Sequence, residues 1–189
     1  MHYAVADYVL DIAQNAVESG PSLVKVELDE SAGGISVDIS DDGSGMDAAG
    51  IERALDPFYS DGAKHPWRRV GLGLPFLAQG VEQAGGSLRI ESEPDRGTTI
   101  RFRFPAEGPD VPPTGDLAQL ILTLACMPGS HELVVHRKKG PPGPRLDYEI
   151  SRTELAEALG GLERAESLLL LRDYLRSQEA DDGMNSEGV

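Results

Sequence analysis

The sequence predicts an α+β fold, a two-layer α/β sandwich in which helices lie on one face of a mixed, mostly antiparallel sheet. Two segments carry apolar residues at spacings of three and four, the buried stripe of a surface helix. These are Val5, Val9, Ile12, Ala13 and Ala16 in the first, and Leu74, Leu77, Ala78 and Val81 in the second. Short runs alternating apolar and polar residues follow each of them, the pattern of strands buried on one side only.

Gly20 and Pro21 end the first helix. Val24, Val26 and Leu28 then alternate with polar residues, as do Ile35, Val37 and Ile39, and a turn at Gly33 and Gly34 joins the two runs as a hairpin. From 41 to 73 the chain is dense in Gly, Asp and Pro, broken by one short helix around 48–55. So long a loop-rich stretch inside a compact domain is usually functional. The second helix covers about 74–84, stops at Gly85 and Gly86, and is followed by strands at 88–92 and 98–104. In the last of these Ile100, Phe102 and Phe104 alternate with Arg101 and Arg103.

The Pro- and Gly-rich run at 106–115 reads as a linker between a domain at 1–105 and a small α/β extension at 116–178. The extension is expected to contain a helix at 116–126, a hairpin of 132–137 with 145–150, and a helical end. Ser151 and Glu154 open that end as a capping box, Gly160 and Gly161 interrupt it, and 162–175 continue it. Its apolar stretch around Leu168 and Leu171 suits packing on the first domain, a homodimer or a partner protein, and the sequence does not choose. The acidic tail at 179–189 is expected to be disordered.

With 189 residues, 40% of them hydrophobic, the chain can build a substantial core. A formal net charge of −15 argues against general affinity for nucleic acid or an anionic membrane, so any phosphate must meet a local site. The single cysteine, Cys126, excludes an intramolecular disulfide framework and reads as a buried apolar thiol in a reducing compartment. Asp7 and Asp11 interrupt the N-terminal apolar pattern, which reads as neither signal peptide nor membrane span, so a cytoplasmic protein is expected.

Three elements carry chemistry. Asp11, Gln14, Asn15 and Glu18 fall within about 100° of one another on the first helix, opposite its apolar stripe. The Asn15 carbonyl is a neutral oxygen ligand suited to Mg²⁺, and Asp11, one turn earlier, is placed to orient or deprotonate a water or hydroxyl. Next, Asp41 leaves a strand into Gly43 and Gly45. Its carboxylate can accept an adenine amino proton, while the glycines let the backbone approach a flat ring and Met46 walls it. Finally, Gly71 and Gly73 stand at the mouth of a helix with Pro75 at an early helical position, a seat for phosphates on unpaired N–H groups. Neither a Walker A loop nor a dinucleotide fingerprint is present.

In order and spacing these elements resemble the GHKL superfamily of gyrase, heat-shock chaperone, histidine kinase and MutL ATPases. The segment from Asp11 to Asn15 resembles the family's N box, and that from Asp41 to Met46 its first glycine box. Asp56, Pro57, Phe58, Tyr59 and Ser60 resemble the F box, and Gly71, Leu72, Gly73 and Leu74 the second glycine box. The stretch from Ser92 to Thr99 is similar to the closing strand pair of histidine kinases. The resemblance spans about residues 5–105. It implies the Bergerat ATP fold with ATP and Mg²⁺ bound, Asn15 on the metal, Asp41 on adenine, Thr98 near the base, and 59–70 as a lid. Lys64, Arg68 and Arg69 in that lid can neutralise γ-phosphate charge.

Asp11 occupies the place of the Glu that is general base in MutL-type ATPases, one methylene shorter. Only about ten residues precede the first box, so a phosphoacceptor domain is expected to be absent. Ser130, His131, Glu132 and Leu133 imitate the start of a phosphoacceptor box, but Val134 and Val135 continue them as a strand. His2, His65 and His136 form no ligand spacing, so no zinc site is expected. The function implied is a kinase or kinase-derived regulator acting in trans on a partner protein, with an ATPase or ATP-gated interaction module as the alternative.

Overall fold

The computed structural model describes residues 4–58, 72–141 and 146–180. In chain order the elements are α1 (Val5–Glu18), β1 (Leu23–Ser31), β2 (Gly34–Asp41), α2 (Ala48–Leu55), α3 (Gly73–Gln83), β3 (Ser87–Glu93) and β4 (Gly97–Pro105). They continue with α4 (Leu117–Ala125), β5 (Glu132–Lys139), β6 (Leu146–Ser151), α5 (Arg152–Leu159) and α6 (Ala165–Ala180). The strands form one six-stranded sheet in the order β3-β4-β2-β1-β5-β6, parallel only between β1 and β5. This is the α+β sandwich the sequence predicts.

The inner strands β1, β2, β4 and β5 bury alternate residues. Val24, Val26 and Leu28 of β1, Val37 and Ile39 of β2, and Phe102 and Phe104 of β4 meet Val5, Val9, Ile12 and Ala13 of α1 in one core. Burying an aliphatic side chain of this size contributes about 1.5–3 kcal/mol, which is why the sheet can leave its other face to water. Lys25, Glu27, Asp38, Arg101 and Arg103 occupy that face. Arg101 pairs there with Asp38 and Glu91, exposed contacts worth little individually.

Residues beyond 106 continue this architecture. β5 lies beside β1 with Leu23 opposite Glu132 and Val26 opposite Val135, and Leu120, Ile121 and Leu124 of α4 join the common core with Leu171 and Leu175 of α6. The 106–115 run also reaches α1. The carbonyls of Pro113 and Thr114 accept from the N–H groups of Val5 and Ala6 at 2.8 and 3.0 Å, donors that no intrahelical partner can reach.

A buried ion cluster fastens the far edge. Arg137 of β5 is fully buried and donates to Glu30 of β1 at 2.6 Å and to Glu179 of α6 at 3.2 Å, while the Tyr148 hydroxyl of β6 donates to Glu179 at 2.9 Å. Burial and the Glu179 carboxylate push the Tyr148 phenol far above its usual range.

Cys126 corrects the sequence expectation, since its side chain is exposed. α4 ends at Ala125, so Cys126 turns away from the stripe of Leu117, Ile121 and Leu124, and Met127 takes the buried place. Partial desolvation still raises its thiol pKa. Of the apolar run in α6, Leu171 faces α4 while Leu169 and Leu170 are 50% and 63% exposed. Of the tail expected to be disordered at 179–189, Glu179 and Ala180 instead end α6, held there by the Glu179 bonds to Arg137 and Tyr148, and residues 181–189 lie outside the described residues.

Candidate functional site

The polar face of α1 faces away from the core because its opposite side carries the buried stripe. Asn15 is exposed, Gln14 donates to Glu18 at 3.1 Å, and Asp11 is half-buried one turn before Asn15. Burial first, and the nearby negative charge of Asp7 second, raise the Asp11 carboxyl pKa. The reason for its burial is α3. A β-carbon on Gly73 would lie 2.9 Å from Cβ of Asp11 and 3.4 Å from its Oδ2, so helix start and carboxylate are in contact.

α3 begins with Leu72 at its N-cap, and its first intrahelical bond runs from Phe76 N–H to Leu72 O. Gly73 and Leu74 therefore carry N–H groups ahead of that bond, and Pro75 has none. The Leu74 side chain is in the core at 6% exposure, which leaves its backbone as the part available to a ligand. Gly71, Lys64, Arg68, Arg69 and the expected lid at 59–70 lie outside the described residues. Phe58, at their edge, is 94% exposed with its N–H bonded to Asp56 at 2.8 Å.

At the end of β2 two adjacent carboxylates do different work. Asp42 is structural: it accepts the N–H groups of Ser22 and Leu23 at 2.8 and 2.9 Å and the Ser22 hydroxyl, and these bonds hold its pKa below the usual value. Asp41 is half-buried, and its Oδ1 accepts from Gly43 N–H and pairs with the Ser19 hydroxyl, both at 2.9 Å. Burial outweighs these donors, so its pKa is raised.

The glycines of this loop are sterically required. A β-carbon on Gly43 would lie 1.7 Å from Oγ of Ser19, and one on Gly45, which has φ +59°, would lie 1.9 Å from Glu93 O. The loop is stitched on both sides. Ser44 N–H donates to Ser19 O at 3.2 Å, and Ser44 O accepts from Asp95 N–H at 2.8 Å. Met46 N–H donates to Oγ of Ser92 at 2.8 Å, and that hydroxyl is also 2.9 Å from the Thr98 hydroxyl and 3.1 Å from Gly97 O.

Asp41, Gly43, Gly45, Met46 and Thr98 are thus assembled around one strand end, where β4 runs beside β2 with Thr98 opposite Asp41. Three residues of this assembly were not among the expected binding residues: Ser19, and Ser92 and Gly97 of the stretch that resembles the closing strand pair. A β-carbon on Gly97 would lie 1.9 Å from Asp41 O. Hairpin register supplies the missing signal for Ser92, which stands opposite Thr98. Ser19 has no such signal, since its approach depends on the angle of α1 across the sheet.

His131 stands directly before β5, 5% exposed, with Nε2 lacking a hydrogen-bond partner among the described residues. Burial first, then the positive charge of Arg152, lowers its pKa. An imidazole so covered is poorly placed to take a phosphoryl group. Among the described residues, no group of three or more His, Cys, Asp or Glu side chains is arranged to hold a metal ion. Nor is any helix among them long and apolar enough to cross a membrane.

An open mixed sheet, helices on one face, and a glycine loop locked beside a half-buried strand-end carboxylate define the Bergerat class of ATPase domain. Residues 4–108 match the family model described as histidine kinase-, DNA gyrase B-, and HSP90-like ATPase, and the chain belongs to that family. It is 33% identical over 100 residues to the sensor protein IrlS of Burkholderia pseudomallei, covering 51% of this chain and 22% of the relative. It is 28% identical over 120 residues to the nitrogen regulation protein NtrY of Azorhizobium caulinodans, covering 58% and 15%. It is 31% identical over 103 residues to the sensor histidine kinase ZraS of Klebsiella oxytoca, covering 53% and 21%. The matched part is therefore about a fifth of the length of these relatives.

Proposed function

We propose that the protein binds Mg-ATP and acts as a kinase or kinase-derived regulator, in trans, on a separate partner protein in the cytoplasm. The observation that carries the reading is Asp41: a carboxylate kept half-buried against its own electrostatic preference, beside a loop that only glycines can form. A desolvated acceptor of this kind suits the amino group of adenine, with Gly43, Gly45 and Met46 lining the ring and Thr98 beside it.

The described residues fit the rest of such a ligand. The exposed Asn15 amide offers a neutral oxygen to Mg²⁺, and the N–H groups of Gly73 and Leu74 at the start of α3 suit phosphate. Leu72 closes that turn. Gly71, Phe58 and Lys64 complete the proposed set by family resemblance, Lys64 as the cation that offsets γ-phosphate charge. Bound Mg²⁺ supplies charge neutralisation, and the protein's share of transfer is positioning. Incubating the full chain with Mg²⁺ and γ-phosphate-labelled ATP in its native extract tests the kinase reading. A labelled partner band is expected, and its absence alongside tight ATP binding contradicts transfer.

A second reading, hydrolysis or an ATP-gated interaction, is favoured by Asp11. Its raised pKa moves it toward the range in which a carboxylate works as a base. Steady phosphate release that disappears in Asp11→Ala supports this reading over transfer.

A further inference from the structure

We propose that Ser19 is a positioning residue of the Asp41 pocket, one that assigns the two carboxylate oxygens different tasks and helps keep the group ionised. The inference rests on the reading of Asp41 as the adenine acceptor.

Ser19 is the C-cap of α1, and its Oγ lies 2.8 Å from Ala16 O and 2.9 Å from Oδ1 of Asp41. A hydroxyl has one proton, so it serves one of these acceptors at a time. Ala16 O already accepts the Ser19 N–H at 3.1 Å and is not left bare when the hydroxyl turns away. An ionised carboxylate is the stronger acceptor, because a charge-assisted hydrogen bond is roughly twice as strong as a neutral one. The hydroxyl therefore donates to Asp41 when that group is charged. When Asp41 is protonated, its own proton lies toward Oγ and the hydroxyl returns to Ala16 O.

This arrangement has two consequences. Oδ1 accepts from both Ser19 and Gly43, and the Thr98 N–H also bonds the carboxylate, so the acceptor capacity that remains for a ligand's amino group is directed to Oδ2. The hydroxyl also opposes the burial that raises the Asp41 pKa. Asp42, next along the chain, is the charged neighbour acting on Asp41; α1 contributes the neutral Ser19 hydroxyl and β4 the neutral Thr98 N–H. Gly43 is part of the same device, since any β-carbon there would occupy the position of the Ser19 hydroxyl.

Two measurements on the full chain test the proposal, each on wild type, Ser19→Ala, Ser19→Cys and Ser19→Thr. The Cys variant keeps the volume with only a weak donor, and Thr restores the hydroxyl. In the first, the Asp41 carboxyl is titrated by NMR without ligand. Its pKa rises in the Ala and Cys variants and returns toward wild type in Thr. In the second, calorimetry with Mg-ATP between about pH 5 and 8 gives binding about 3- to 10-fold weaker in Ala and Cys at neutral pH, with the acid limb moved to higher pH.

An unchanged Asp41 pKa and an unchanged acid limb in both Ala and Cys variants overturn the proposal. The two readings fail separately. If wild type does not bind ATP, the nucleotide assignment fails, while the ligand-free titration still decides whether Ser19 controls Asp41.

Discussion

Asp11 and Gly73 are in direct contact: a β-carbon on the glycine would lie 2.9 Å from Cβ of the aspartate. The obstructing atom is the root of the side chain, which no rotamer change can move. Gly73→Ala is therefore expected to push α1 and α3 apart locally and destabilise the fold by about 1–3 kcal/mol, the usual cost of overpacking. Chemical denaturation measures this. Pairing with Asp11→Gly, which removes that atom, should recover part of the loss.

Asp11 itself is predicted to trade stability for function. Its folded pKa is raised, so the native state holds the proton more tightly than the unfolded chain does. The sign follows from linkage: its contribution to stability begins to fall as pH rises past the ordinary value of 3.8, and the loss is complete above the raised folded pKa. Asp11→Asn removes the charge and with it this slope. Its melting temperature at neutral pH should exceed that of wild type, while any phosphate release falls. A lower melting temperature contradicts the assignment.

The Arg137 cluster predicts a third outcome. Glu179→Ala removes two hydrogen bonds from a fully buried guanidinium and one from Tyr148, leaving Glu30 as the remaining carboxylate partner. A loss of about 1.5–3 kcal/mol is expected from urea denaturation, the range for a hydrogen bond to a charged group. ATP affinity should be unaffected, because the cluster lies at the β5–β6 edge and Asp41 at the end of β2.

At Ser92, one hydroxyl joins Met46 N–H, Gly97 O and Thr98. Ser92→Ala leaves the Met46 N–H without this acceptor and removes one of the ties between the glycine loop and the β3–β4 hairpin, while Asp95 N–H still donates to Ser44 O. Mg-ATP binding should weaken about 2- to 10-fold, the worth of one such hydrogen bond, as read by calorimetry.

Much of this fold is legible in the sequence because local pattern decides it. The spacing of Val5, Val9, Ile12, Ala13 and Ala16 specifies α1, and all five are buried. Asp41, Gly43 and Gly45 are legible as a loop because backbone geometry demands those residue types. The rest depends on distance in space. Ser19 reaches Asp41 only through the crossing of a helix over a sheet, and the pairing of β5 with β1 links segments more than a hundred residues apart. Arg137 did leave a trace: it follows Leu133 and Val135 at a period of two, in the inward register. Cys126 misled because a residue one place beyond a buried helix stripe takes the opposite direction.

The proposed recognition of ATP depends on Asp41, and isothermal calorimetry of Mg-ATP binding to wild type and Asp41→Asn tests it most directly. Wild type should bind well below millimolar, and the variant should bind about 10- to 150-fold more weakly, corresponding to about 1.5–3 kcal/mol for a hydrogen bond to a charged group. Equal affinities, or wild-type binding no tighter than millimolar, would contradict it.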